Sequence, residues 1–143
     1  MEAVLDTNLL ISGVLWKGIP FQLLQWAESG QLTIFTSREI LEEVHRVLHY
    51  PKFRKYIDNM GLSPNDLFTK IISLCTTIRV MHTVKGVCVD ADDEKFLSCA
   101  LSANIEVLVS GDKHLLDIGT YLSVRILTAK QFYENNLYLC PSV

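Results

Sequence analysis

The chain has 143 residues, 49% of them hydrophobic and 20% charged, with a formal net charge of −3 at neutral pH. That length and balance suit one globular domain over residues 1–143, large enough to bury about two-thirds of its unfolded surface. No apolar run approaches the roughly 20 residues that cross a bilayer, and no basic region precedes the N-terminal apolar stretch that Asp6 interrupts, so the expectation is a cytoplasmic protein with neither membrane span nor signal peptide.

Ala3, Val4 and Leu5 form an apolar run too short for a helix, the polar triplet Asp6-Thr7-Asn8 follows, and Leu9, Leu10, Ile11 and Val14 then recur at helical spacing. This predicts a buried strand, a tight turn and a helix, with Asp6 at the strand's carboxyl end. Ile19-Pro20 opens a second helix through Trp26, which Ser29-Gly30 ends, and Leu32 to Phe35 reads as the second strand. Thr36-Ser37-Arg38-Glu39 has a capping-box pattern, predicting Thr36 as cap of a helix to Leu48. Tyr50-Pro51 breaks that helix, Lys52 to Tyr56 reads as another helical turn, and Ser63-Pro64 opens a helix through Leu67, Ile71, Ile72 and Leu74. Thr77 to Val80 reads as a third strand, and Met81 to Val89 carries no clear pattern.

Asp90 is then the expected N-cap of a helix to Ala103. Ile105 to Val109 is the fourth strand, and Ser110-Gly111-Asp112 turns into a short helix, Lys113 to Asp117. Val124 to Leu127 is the fifth strand, Thr128 caps a helix through Phe132 and Tyr133, and the last residues, through Pro141, read as frayed. Alternating strands and helices predict an α/β fold, with a mostly parallel sheet of five strands covered by helices on both faces.

The functional reading rests on which acids reach the carboxyl edge of that sheet, where parallel α/β folds bind ligands. Asp6 and Asp112 each end a strand, and each also suits a helix N-cap. Glu43 borders the apolar stripe Ile40, Leu41, Val44, Val47 and Leu48, so it either pairs with Arg46 or faces a cleft. Asp93 lies three and four residues before Phe96 and Leu97, on the centre of its helix's apolar stripe. N3 capping explains an acid in that turn but explains less well why it faces inward. If the first and fourth strands are neighbours, Asp6, Glu43, Asp93 and Asp112 meet as a self-repelling cluster with raised pKa values unless a cation joins them. Oxygen ligands suit Mg2+ or Mn2+, whereas zinc calls for His or Cys. Such a site activates water for phosphodiester hydrolysis.

The remaining signals are weaker. Removing those four acids from the chain's 16 leaves 12 against 13 Lys and Arg, so net charge neither supports nor excludes a nucleic-acid substrate. Lys52, Arg54 and Lys55 form the densest basic cluster, with Lys17, Arg46, Lys95 and Lys113 as further candidates for nucleic-acid phosphates; solvated surface accounts for them equally well. Cys75, Cys88, Cys99 and Cys140 form no C-x-x-C pair and are expected to be reduced and structural, Cys75 and Cys99 within helical runs. His45 and His49 have metal-ligand spacing but no third ligand, and a solvated helix face accounts for them better. Trp16, Phe21 and Trp26 suit either the core or a homodimer or partner surface.

Val4-Leu5-Asp6-Thr7-Asn8-Leu9-Leu10, Glu43-Val44-x-x-Val47-Leu48, Asp90-Ala-Asp-Asp93-Glu-Lys-Phe-Leu97 and Val107-Leu-Val-Ser110-Gly111-Asp112-Lys113 resemble, in order, the four signature blocks of PIN domains, over nearly the whole chain. The likeness is closest to stand-alone prokaryotic PIN proteins assigned as toxins of toxin–antitoxin pairs. It implies a three-layer α/β/α fold, a Mg2+- or Mn2+-dependent ribonuclease, and a possible antitoxin partner. It also implies that Asp6, Glu43, Asp93 and Asp112 form the metal site, supported by Thr7, Asn8 and Ser110. Ala91 departs from the Pro that many relatives carry there, which affects the turn and not the acids.

Two other readings compete. A phosphatase of the haloacid-dehalogenase type also begins with a strand-end Asp, but its pattern wants a second Asp where this chain has Asn8. A non-catalytic PIN-like module that binds nucleic acid or protein, with its acids serving only as caps, is the stronger rival.

Overall fold

A computed structural model describes residues 1–139, so the expected fraying at Pro141, and Cys140, lie outside the described residues. In chain order the elements are β1 (Glu2–Leu5), α1 (Thr7–Leu15), α2 (Ile19–Glu28), β2 (Thr33–Ser37), α3 (Arg38–Leu48), α4 (Pro51–Asn59), α5 (Pro64–Leu74), β3 (Cys75–Ile78), α6 (Glu94–Ser102), β4 (Val107–Val109), α7 (Lys113–Ile118), β5 (Thr120–Tyr121), β6 (Val124–Leu127) and α8 (Ala129–Asn136). They form one sheet in the order β3-β2-β1-β4-β6-β5, parallel except for β5.

That order explains the layers. Successive crossovers from β1 to β2 to β3 step one way along the sheet, and the crossover from β3 to β4 steps back past β1. With right-handed connections the two directions put their helices on opposite faces. α1, α2, α3 and α5 accordingly pack on one another, while α6 lies across β1, β2 and β4, giving an α/β/α sandwich. Sandwiched between layers, Ala3, Val4 and Leu5 of β1 are fully buried, as are Leu97 of α6 and Leu108 of β4. The reversal falls between β1 and β4, which pair Val4 with Leu108 and Leu5 with Val109. It is the topological switch point, and its carboxyl edge is where a ligand crevice opens.

Several expectations need correction. The sheet has six strands rather than five: Thr120–Tyr121 turns back on β6 through Leu122, whose φ is 51°. A two-residue strand offers no alternation to read. Ser37, not Thr36, caps α3 by accepting from the Ile40 amide, because β2 runs through Ser37, which pairs with Ile78. Thr36 is left buried inside the strand, its hydroxyl without a partner among the described residues.

β3 begins at Cys75, two residues before the expected start, because the chain extends directly from the end of α5 with no loop between. Cys75 is therefore a strand residue, whereas Cys99 does lie in α6. From Pro51 the chain makes nine residues of helix rather than a single turn. Asp90 caps a 3-10 turn, Ala91–Asp93, that precedes α6. Trp26 belongs to the core, stacked on Tyr133 at 5.0 Å, whereas Trp16 is 44% exposed beside Phe53 and Tyr56.

Candidate active site

At the switch point Asp6 leaves β1 in an extended conformation and caps α1, its Oδ1 accepting from the Leu9 amide at 2.9 Å. Its other oxygen, Oδ2, accepts from the Ser110 hydroxyl at 2.6 Å and the Gly111 amide at 3.3 Å, both just beyond β4. Capping and site geometry are thus both satisfied by one carboxylate, an oxygen for each. Ser110 is fully buried, and its hydroxyl also accepts from the Asp112 amide at 3.0 Å, so one side chain sets both strand-end acids. Burial pushes the Asp6 carboxyl above its ordinary range, against the pull of these three hydrogen bonds.

Glu43 arrives from α3. One oxygen accepts from the Thr7 hydroxyl, and the other lies 2.7 Å from the Lys95 ammonium of α6. The expected pair with Arg46 forms only loosely, at 3.7 Å. Asp93 stands at the start of α6 and makes no capping hydrogen bond with its side chain, so capping does not account for it. Its carboxyl is pushed up to about 7, first by burial, then by a hydrogen bond shared with Asp112 and by the charges of Asp112, Asp90 and Glu43. Asp112 caps α7 by accepting from the His114 amide over a long 3.4 Å.

Asp6, Glu43, Asp93 and Asp112 line one cleft of about 680 Å3 together with Thr7, Asn8 and Lys113. Asp90 also lines it, an acid the sequence reading used only as a cap; its signal was its place three residues before Asp93. Lys52, Arg54 and Lys55 do not line the cleft and stand exposed on α4, Lys52 lying 5.0 Å over the Phe53 ring.

Among the described residues the carboxylates are not already gathered into a cluster of three or more that would hold a metal ion. The donor set nevertheless fits a hard divalent cation: the acids in the cleft offer oxygen alone, and the charges of Asp112, Asp90 and Glu43 that push the Asp93 carboxyl up are a repulsion that a cation would relieve.

Fold and cleft together define an α/β/α domain with an acidic cleft at its switch point. The chain belongs to the PIN domain family, whose model matches residues 2–114, and members of that family are generally nucleases that use divalent metal ions and act on nucleic acids. No curated protein matches the chain. Among the described residues no helix is long and apolar enough to cross a membrane.

Proposed function

We propose that this protein is a Mg2+- or Mn2+-dependent endoribonuclease, with Asp6, Glu43, Asp93 and Asp112 as its acidic centre. The observation that carries the reading is Asp93, a half-buried carboxyl that caps nothing and shares its cleft with Glu43, Asp90 and Asp112, whose charges oppose its ionisation. A bound divalent cation would supply activation of water and stabilisation of the charge that develops on the phosphodiester. Asp6 would be its most fixed ligand, since three hydrogen bonds orient it. Asp93, whose side chain makes no capping hydrogen bond, and Asp112, held by the long bond from the His114 amide, would supply the remaining carboxylate oxygens. Thr7 orients Glu43, Ser110 orients Asp6, and Asn8 lines the cleft as a neutral polar contact.

Lys113 at the cleft rim would meet an RNA phosphate first, with Lys52, Arg54 and Lys55 as outlying contacts. Action in the cytoplasm, and a toxin role opposed by an antitoxin, accompany this reading through the family likeness. Half-exposed Trp16 and partly buried Phe21 are the apolar residues left to serve a homodimer or that partner.

The test is cleavage of a structured RNA by purified protein with Mn2+ and with EDTA, beside Asp6→Asn. Metal-dependent cleavage that falls about 100-fold or more in the variant is expected. Retained cleavage in Asp6→Asn overturns the site assignment. RNA binding without Mn2+ binding or cleavage favours the non-catalytic module.

A further inference from the structure

Lys95 occupies a place that the acidic centre does not explain. Its side chain is only 14% exposed, and its ammonium lies 2.7 Å from Glu43 Oε2 and 4.0 Å from Asp92 Oδ1. It lines a separate hollow, with Val84 and Ser98, rather than the cleft. The lysine therefore reaches Glu43 from behind. Arg46, 3.7 Å from the same oxygen and with a side chain 57% exposed, cannot substitute for it, because solvent screens its charge.

We propose that Lys95 is a positioning residue that fixes Glu43 against Asp93 for metal binding; the proposal rests on the metal-dependent reading above. Glu43 stands on α3 and Asp93 at the head of α6, in opposite layers of the sandwich. Lys95 follows Asp93 by two residues, so its ion pair joins the segment carrying one acid to the side chain of the other, around the carboxyl edge of the sheet. Thr7 holds the second Glu43 oxygen, and the carboxylate is thereby pinned from both sides. A long glutamate side chain without the ammonium has rotamer freedom to swing out of the cleft. Neutralisation from behind also lowers the repulsion that Glu43 exerts on Asp93 and Asp112 while no cation is bound.

The test is Mn2+ affinity by calorimetry for wild type, Lys95→Met, Lys95→Arg, Glu43→Gln and the Lys95→Met/Glu43→Gln double variant, with thermal unfolding of each. The expected result is a Mn2+ affinity about tenfold weaker in Lys95→Met, partly restored in Lys95→Arg, with Lys95→Met adding nothing to Glu43→Gln. In RNA cleavage Lys95→Met should lower kcat with little change in KM, because the lysine does not touch the substrate cleft. Unchanged or tighter Mn2+ binding by folded Lys95→Met and Lys95→Arg overturns the proposal alone. So does a further loss when Lys95→Met is added to Glu43→Gln, which would mean the lysine acts independently. A wild-type protein that binds no Mn2+ overturns the metal-dependent reading and the proposal with it.

Discussion

Asp93 and Glu94 are consecutive residues whose carboxyls meet opposite surroundings. Asp93 opens into the acidic cleft, where burial and neighbouring acids push its carboxyl up to about 7. Glu94 turns to the other side of α6 and accepts from the Val87 amide at 2.6 Å and the Cys88 amide at 3.2 Å, which holds its carboxyl below the ordinary range. Ser98 and Ser102, four and eight residues further along the same helix, continue that side: Ser98 accepts from Val84, and Ser102 from Met81 and His82. One flank of the helix satisfies a loop's backbone, and its leading end gathers charge that the protein alone leaves frustrated. A carboxyl short of donors is pushed up by its neighbours, whereas a structural carboxylate collects donors and is held down.

The comparison can be broken most strongly at Asp93. Asp93→Asn should lower metal-dependent RNA cleavage by about 100-fold or more, read in single-turnover assays, while the loop contacts of Glu94 stay intact. The two carboxyls should also give opposite pH slopes. Asp93 holds a proton in the native chain that the unfolded chain releases above its ordinary 3.8, so its contribution favours folding below that value and fades as pH rises through about 7. In EDTA the melting temperature should fall between pH 5 and 8 by roughly 3–5 °C more for wild type than for Asp93→Asn, and Mn2+ should recover more at the higher pH. Glu94 contributes in the other sense: its stabilisation is present above the ordinary 4.5 of a glutamate and lost as pH falls through its depressed value. Glu94→Gln should blunt the loss of stability on the acid side, a difference that acid titration of the circular dichroism would reveal.

Smaller effects belong to the serines. Ser98→Ala leaves the buried Val84 amide without its acceptor and should cost about 1–2 kcal/mol in urea unfolding. Ser102→Ala, whose partners are solvent-exposed, should cost about 0.5 kcal/mol or less in the same measurement. Equal costs would show that burial does not separate the two ends of the ladder.

The asymmetry also explains what could be read from the sequence. Asp6 and Asp93 were legible because an acid in or beside an apolar pattern is conspicuous, and the βα alternation placed Asp112 on the same edge as Asp6. The loop from Met81 to Val89 was opaque because its amides bond to side chains far along the chain, such as Ser102 with Met81, and these contacts leave no local periodicity. Lys95 looked like an available cation for RNA; that Glu43 neutralises it depends on two helices from opposite layers meeting at one edge. Thr36 and Ser37 are both credible caps, and only the length of β2, set by its pairing with β3, decides between them.

The two residues of β5 have a consequence for how copies of this chain behave in a crowded solution. Without them β6 would be the outer strand of a parallel sheet, its free amides and carbonyls open to another chain. By folding back antiparallel, Thr120 and Tyr121 occupy part of that edge and replace it with a border too short to template much pairing. A segment with almost no signature in the sequence thus shortens the open border on the β6 side of the sheet.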